Sequence, residues 1–311
     1  MKLVSYYSVS PLPASSGSAG AARLGVVTPA GVLDVATAAQ RHGVGVTAGE
    51  GNGSAPTVGL TGAAGFYAAG EAGLASLAEL VELATDGPFV GALAELNLAP
   101  TVPAPAKILC VGLNYRRHAA ESGMAEPKEP VLFSKFNNTL APHGATVDIT
   151  GLEQVDYEAE LGVVLGRGGR NIPEGRALEH VLGYCNANDV SERALQMRSG
   201  QWLLGKSLDG FLPLGPFVLT ADEAGDPQDM RVRGWFNGDL RQDSSTADMI
   251  FSVAEVIAYA SRYMTLEAGD IIVTGTPEGV VLGRPQKDWV VPGGEYVVEV
   301  GPLGRLVTRF A

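Results

Sequence analysis

The sequence predicts an α+β fold in which β-strands dominate. Glycine and proline are abundant, with 41 and 19 of the 311 residues, as expected for many short strands joined by turns. Runs of apolar and β-branched residues are short and end at these turn residues. Helical stretches are few and do not alternate regularly with strands, which disfavours a doubly wound parallel sheet. A mixed sheet with a few covering helices is therefore expected.

The first hundred residues are predicted to form a small module. Strand-like runs span Lys2–Tyr7 and Arg23–Thr28, and the segment Gly31–Asp34 follows directly after a turn. Leucine and valine recur at helical spacing over residues 74–85, which predicts one amphipathic helix. No combination of catalytic residue types occurs in this region.

A proline-rich stretch, APTVPAPA at residues 99–106, is typical of a semi-rigid linker. We place a boundary there, between a small N-terminal domain (1–104) and a larger catalytic domain (105–311). In the larger domain we expect strands over residues 107–112, 155–166 and 270–274, and helices over residues 175–184 and 251–264. The second helix is supported by Ser252 and Glu255, which have the spacing of a capping box.

Charge and cysteine content exclude several classes of protein. The 22 Lys and Arg against 34 Asp and Glu give a net charge of −12, which argues against a nucleic-acid or anionic-membrane partner. Two cysteines in apolar surroundings, Cys110 and Cys185, indicate a reducing cytoplasm rather than a disulfide framework. No run approaches the about 20 apolar residues of a transmembrane helix, and the N-terminus does not have the pattern of a signal peptide.

The most informative segment carries three carboxylates. Alternation along a strand would place Asp156, Glu158 and Glu160 on one face, without a cation between them. A solvated strand face is one interpretation. The other is a site for a hard divalent cation, since like charges that repel each other can coordinate Mg²⁺, Mn²⁺ or Ca²⁺. Asp189 is the best third ligand, with a helix N-cap or turn aspartate as its alternative.

Three further groups could take part in catalysis. His118 and Glu121 have i, i+3 spacing on a short predicted helix, so the carboxylate could orient the imidazole as a general base, or the two could be a surface pair. Lys206 lies among apolar residues and is either partly buried and directed at an anion or exposed at a strand edge. The turn TGTPEG, with Thr276, could hold a carboxylate through its amides.

Taken in order, five motifs resemble the fumarylacetoacetate hydrolase superfamily. They are GLNYRRHAAE, VDYEAELGVVLG, GYCNANDVSER, QWLLGKSLDGFLPLGP and TPEGVVLG, and the resemblance covers residues 107–311. It implies a mixed β-sheet roll preceded by a smaller N-terminal domain, and assembly as a homodimer. It also implies one Mg²⁺ or Mn²⁺ per subunit, bound by Glu158, Glu160 and Asp189.

The resemblance also implies roles for the other candidates. His118 and Glu121 match a catalytic dyad on a mobile lid, and Lys206 matches the lysine that polarises the substrate's oxygens. Substrate binding is expected from Tyr115, Arg193, Gln196 and Thr276. Residues 123–130, rich in proline and charge, match the lid segment in which specificity should reside.

The implied reaction is metal-dependent C–C bond cleavage in a small 2-oxo acid, through a pyruvate enolate stabilised by the metal and the lysine. The motifs favour the acylpyruvate hydrolases, which act on fumarylacetoacetate-type substrates, and the oxaloacetate decarboxylases. Isomerisation or decarboxylation of 2-hydroxymuconate-type dienoates in aromatic catabolism, and hydrolysis of diketo-deoxy sugar acids, are the alternatives within the family. The alternative from another class is an inactive metal-binding scaffold.

Overall fold

The computed structural model describes residues 1–8, 21–44 and 62–311. The strands are β1 Lys2–Tyr7, β2 Arg23–Thr28, β3 Gly31–Asp34, β4 Asn97–Leu98, β5 Ile108–Gly112, β6 Val131–Ser134, β7 Leu140–Ala141, β8 Thr146–Val147, β9 Val155–Asp156, β10 Ala159–Leu165, β11 Val181–Asn188, β12 Ser191–Glu192, β13 Leu212–Thr220, β14 Arg231–Phe236, β15 Asp239–Ser245, β16 Ile271–Val273, β17 Glu295–Val300 and β18 Arg305–Phe310. The helices are α1 Val35–His42, α2 Ala63–Ala69, α3 Glu71–Leu83, α4 Arg116–Glu121, α5 Arg193–Gln196, α6 Leu203–Lys206, α7 Ala221–Ala224 and α8 Val253–Tyr263. This is the β-dominated α+β architecture that the sequence predicts.

One large mixed sheet organises the molecule. Its strand order is β3-β2-β1-β13-β11-β10-β16-β5-β6, antiparallel except for the parallel pair β16–β5. The N-terminal strands enter this sheet through β1, where Leu3 pairs with Val218 of β13. The proline-rich segment packs on it as well, because the Thr101 hydroxyl donates to the Leu214 carbonyl at 2.8 Å. The two predicted domains therefore share a sheet, and the boundary at residue 104 stays a prediction.

A second sheet, ordered β15-β14-β17-β18-β8, covers one face of the large sheet. Strands β10 and β11 pack against it, and Leu161 and Val163 alternate into the shared core. The rings of Tyr157 and Tyr296 stack there with their centroids 4.2 Å apart. On the other face, helices α1 to α3 bury Phe66 and other apolar residues. Both faces of the central strands are thus buried, which excludes a solvated face for β10.

Several predicted elements are confirmed, and two require correction. Strands β1 to β3 have the predicted bounds, and the Ser252–Glu255 capping box opens α8. The expected strand over residues 155–166 is instead two strands, β9 and β10, separated at Tyr157 and Glu158. The expected helix over residues 175–184 is a 3₁₀ helix, Glu174–His180, after which the chain becomes β11. The apolar run that suggested the last turns of that helix instead fills a strand buried on both faces.

Cys110 and Cys185 are both buried free thiols. Within the described residues, none of the helices has the length and apolar character needed to cross a bilayer.

Candidate functional site

The antiparallel pairing of β10 with β11 brings three carboxylates together. Ala159 pairs with Asn188, so Glu158, just before β10, and Glu160, within it, lie beside Asp189, which follows β11. One carboxylate oxygen from each of these three residues lies within 4.8 Å of the others, and all three side chains are buried. Asp156 faces elsewhere, because it accepts hydrogen bonds from the Val281 and Leu282 amides at 2.8 and 3.0 Å.

Three buried cations contact these carboxylates. Lys206 Nζ bridges two of them, at 2.6 Å from Glu158 Oε2 and 2.8 Å from Asp189 Oδ2. The Arg193 guanidinium donates to Glu158 Oε1 at 2.6 Å and to Asp156. Lys135 Nζ donates to Asp189 Oδ1 and, at 3.0 Å, to the Val190 carbonyl. Asp189 is therefore part of the charged site rather than a helix N-cap; Glu192 caps α5 instead.

Burial and charge act differently on the ionisable groups of the site. Burial raises the pKa of Glu160 well above its usual value, and the like charges of Asp189 and Glu158 add to the shift. Burial also opposes ionisation of Glu158, but Lys206 and Arg193 outweigh it and lower the pKa of this carboxyl. Burial lowers the pKa of Lys135, although Asp189 opposes the change. Of the two glutamates, Glu160 is thus the one whose ionised form its protein surroundings disfavour.

The donor set fits a hard divalent cation. Converging carboxylate oxygens are the ligands that Mg²⁺ and Mn²⁺ prefer. A cation between Glu158, Glu160 and Asp189 would favour the ionised form of Glu160, which its protein surroundings disfavour. The assignment of these three residues as ligands stays a prediction that the geometry supports.

The turn after β16 forms hydrogen bonds with Glu160 and with the backbone of β10. The Gly275 amide donates to Glu160 Oε2 at 2.6 Å, so the turn holds a carboxylate of the protein itself. Thr276 Oγ1 donates to the Ala159 carbonyl at 3.0 Å and accepts from Gln242 Nε2 at 2.8 Å. The Thr276 hydroxyl is therefore already engaged by the protein, although the residue lines the cavity described next.

A cavity of about 400 Å³ opens over the carboxylates. Of the predicted site residues, those that line it are His118, Glu121, Glu158, Glu160, Asp189, Arg193, Gln196, Lys206 and Thr276. Tyr115 does not line it: this residue is fully buried beneath α4, and its hydroxyl has no hydrogen-bond partner in the part of the chain that the structure describes. Phe133, Met197 and Trp202 supply apolar walls.

Helix α4 brings the predicted dyad to the wall of the same cavity as the carboxylates. His118 Nδ1 lies 3.5 Å from Glu121 Oε2, and the histidine is 7% exposed. Glu121 is held in turn by the Gly279 amide, at 3.1 Å from Oε1. A Cβ on Gly283 would lie only 2.2 Å from the Glu121 carboxyl carbon, so this position leaves no room for a side chain. The backbone of the turn thus holds Glu121, whereas His118 Nδ1 has no hydrogen-bond partner among the described residues.

Sequence reasoning missed two charged residues at the site. Lys135 follows β6 in the apolar run VLFSKF, a context as informative as the one that singled out Lys206. Its partner Asp189 is 54 residues away, so the contact could not be predicted from local spacing. Lys287 lines the outer part of the cavity from an irregular segment without sequence periodicity.

Comparisons with known proteins agree with this geometry. The family model described as fumarylacetoacetate (FAA) hydrolase C-terminal matches residues 107–311. Oxaloacetate tautomerase YisK of Bacillus subtilis is 41% identical over 227 residues, which cover 71% of this chain and 75% of that protein.

Two solved structures extend the comparison to the fold. A candidate HpcE protein from Mycobacterium smegmatis superposes with a TM-score of 0.82 and 35% identity, covering 100% of this chain and 99% of that one. Fumarylpyruvate hydrolase from Pseudomonas aeruginosa, solved with Mn²⁺ and pyruvate, has a TM-score of 0.61 and 33% identity, and covers 69% of this chain and 98% of its own.

Proposed function

The chain belongs to the fumarylacetoacetate hydrolase family of enzymes, and from this premise we propose that it catalyses keto–enol tautomerisation of a small 2-oxo dicarboxylic acid such as oxaloacetate. One observation carries the proposal. The buried carboxylates with Lys206 and the His118–Glu121 dyad face a single cavity. The first group, with a cation, could bind the carboxylate and keto oxygens of a 2-oxo acid. The second could remove a proton from C3, the carbon next to the keto group. The name of the Bacillus relative supports the same reaction.

Each residue has a defined task in this reaction. A bound divalent cation would supply Lewis-acid polarisation of the 2-oxo acid. Lys206 donates a hydrogen bond to the oxygen at C2, where negative charge develops as the enolate forms. In the ketone-to-enol direction His118 removes the proton at C3 and the enolate oxygen at C2 takes up a proton from solvent. In the reverse direction the enol loses its oxygen-bound proton to solvent, and protonated His118 delivers a proton to C3. Glu121 orients the imidazole for both directions. Phe133 and Trp202 exclude water from the face of the substrate.

The second carboxylate of the substrate would be bound at the outer part of the cavity. Gln196 uses its Oε1 to accept from Arg193 at 2.8 Å, and within the described residues its amide N–H groups have no partner, so they could donate to a ligand. Lys287, whose ammonium donates to the Leu282 carbonyl, adds a cation to the lining of the cavity. These groups suit a dicarboxylic acid better than an acylpyruvate that ends in a methyl group.

Hydrolysis of an acylpyruvate is the second candidate, and decarboxylation of oxaloacetate shares its enolate intermediate. The manganese and pyruvate in the Pseudomonas relative favour C–C bond cleavage at such a site. In hydrolysis the His118–Glu121 dyad would activate a water molecule instead of removing the C3 proton. Homodimeric assembly, one Mg²⁺ or Mn²⁺ per subunit and a cytoplasmic location remain predictions from the sequence.

The test compares three reactions of the purified protein with Mn²⁺ and again with EDTA. Loss of the enol absorbance of oxaloacetate reports tautomerisation. Pyruvate release from oxaloacetate reports decarboxylation, and pyruvate release from acetylpyruvate reports hydrolysis. We expect EDTA-sensitive acceleration of the first reaction above both others. Pyruvate release from acetylpyruvate that exceeds tautomerisation would replace the proposal with the second candidate. No turnover in all three reactions, with Mn²⁺ bound, would favour the isomerase, the sugar-acid hydrolase or the inactive scaffold.

A further inference from the structure

A lysine outside the predicted machinery contacts one of the predicted metal ligands. Lys135 follows strand β6 and is 2% exposed. Its ammonium donates to Asp189 Oδ1, while Lys206 donates to Asp189 Oδ2. The Val190 carbonyl accepts a second hydrogen bond from Lys135, at 3.0 Å. Each oxygen of Asp189 thus has its own cation. Lys135 is absent from the cavity wall, so it would act on a ligand through Asp189 and through its charge.

The formal charge of the site explains why a second lysine is useful. We define the charge cluster as Asp156, Glu158, Glu160, Asp189, Lys135, Lys206 and Arg193. With all seven groups ionised, the state that a bound cation would favour, the four carboxylates and three cations contribute a formal charge of −1. A divalent cation would change this to +1, and one substrate carboxylate would then neutralise it. Without the charge of Lys135, the cluster with a divalent cation would be neutral and would no longer attract an anion.

We propose that Lys135 is a positioning residue that fixes Asp189 and sets the charge of the cluster, so that the site attracts an anionic 2-oxo acid only after a divalent cation has bound. This inference rests on the metal site and the substrate class of the proposed function. It predicts effects of opposite sign on the two ligands. Removal of the positive charge strengthens binding of the cation, since Asp189 loses a competitor, and weakens binding of the anion. A purely structural role would weaken both.

The experiment uses two neutral variants, Lys135→Met and Lys135→Gln, and the charge-conserving variant Lys135→Arg. Glutamine keeps a hydrogen-bond donor for Asp189, so it separates charge from hydrogen bonding. Lys107→Met is the matched control, because Lys107 Nζ also pairs with a buried aspartate, Asp270, at 3.2 Å but at the other end of strands β5 and β16. Calorimetry measures Mn²⁺ binding to the metal-free protein, and then binding of oxamate, an unreactive analogue of pyruvate, to the Mn²⁺-loaded protein.

We expect both neutral variants to bind Mn²⁺ about tenfold more tightly and oxamate about tenfold more weakly than the wild type. Lys135→Arg and Lys107→Met should stay within about twofold for both ligands. Weaker binding of both ligands, unchanged binding of both, or failure of both neutral variants to fold would overturn the proposal. Because neither titration requires turnover, an inactive wild type with the expected shifts would contradict only the proposed reaction. A wild type that binds no Mn²⁺ would contradict the metal site itself.

Discussion

At the scale of single residues, similar side chains have different surroundings and therefore different tasks. Glu158 is held ionised by Lys206 and Arg193. Among the described residues, Glu160 accepts a hydrogen bond from the Gly275 amide alone, and it lies beside two other carboxylates. His118 lines the same cavity from another element, α4, and lies beside Glu121. The charged groups that would bind the oxygens of a substrate and the group that would move a proton thus lie on different elements around one cavity.

This separation predicts the behaviour of His118→Ala. We expect the tautomerisation rate to fall by about 10²–10⁴-fold, the usual range for loss of a general base. The dissociation constant for Mn²⁺ should stay within about twofold, because His118 contacts none of the predicted ligands. Stopped-flow loss of enol absorbance measures the rate, and calorimetry measures the metal. A similar loss in His42→Ala, a histidine of α1 remote from the cavity, would show that the effect is not specific to the dyad.

The site residues show how far sequence could lead at this scale. Glu158, Glu160 and Asp189 were predicted together because two follow a strand period and the third lies within the motif GYCNANDVSER. Lys135 was not, since its contact with Asp189 depends on how the chain after β6 lies beside the end of β11. Tyr115 was predicted to bind substrate from its place in a motif. Whether a motif residue faces the cavity or the core depends on packing, which the motif does not encode.

At the scale of elements, the junction of β3 and α1 depends on one carboxylate. Asp34 ends β3 and caps α1 by accepting from the Thr37 amide at 2.7 Å. Arg23 of β2 donates to both of its oxygens, at 2.6 and 2.5 Å, and the Tyr6 hydroxyl of β1 donates as well. Burial would raise the pKa of Asp34, but the hydrogen bonds from Arg23 and Tyr6 outweigh it and hold this pKa well below its usual value.

The lowered pKa gives a pH-dependent prediction for Asp34→Asn. A carboxyl whose pKa is lower in the folded state stabilises the fold above its unfolded pKa of about 3.9 and loses this effect as the pH falls. We expect the variant to lose about 2 kcal/mol of unfolding free energy at pH 7, and the difference from the wild type to shrink below about pH 4. Urea denaturation across pH 3–7 measures it. Asp86→Asn, at an exposed residue, is the control; a difference for Asp34→Asn that does not depend on pH would contradict the ionic explanation.

Elements with a local signal were predicted well, and the others were not. The capping box of α8 and the strands β1 to β3 are encoded by adjacent residues. The helix predicted over residues 175–184 extended into the first four residues of β11, because a strand buried on both faces has no alternation of polar and apolar residues. The break between β9 and β10 was missed because the alternation of carboxylates continues across it.

At the scale of the whole molecule, the N-terminal elements and the site share one sheet. Strand β1 joins β13, and the junction of α2 and α3 rests on the end of β10. Gly70 at this junction has φ +58° and ψ −128°, a conformation accessible almost only to glycine. A Cβ there would lie 1.9 Å from the Gly166 carbonyl oxygen. Position 70 therefore requires glycine for two reasons: its backbone conformation, and the lack of space for a Cβ beside the Gly166 carbonyl oxygen.

Gly70→Ala therefore tests whether the two predicted domains unfold together. We expect a loss of about 3 kcal/mol of stability, against about 1 kcal/mol for Gly43→Ala, which has φ +67° but open space around it. All three tryptophans lie beyond residue 104. If the shared sheet makes unfolding cooperative, their fluorescence transition should shift together with the circular dichroism. A tryptophan transition that stays in place while part of the dichroism is lost would show that residues 1–104 unfold independently.

One of those tryptophans, Trp202, allows the cavity to be followed by intrinsic fluorescence. The Trp202 indole packs against Gly112 and, edge to face, against Phe133 at a centroid distance of 5.4 Å, and it forms part of the cavity wall. Indole emission responds to the polarity and charge beside the ring. The emission wavelength and intensity of Trp202 should therefore change as water or an anion enters or leaves the cavity, without any added label.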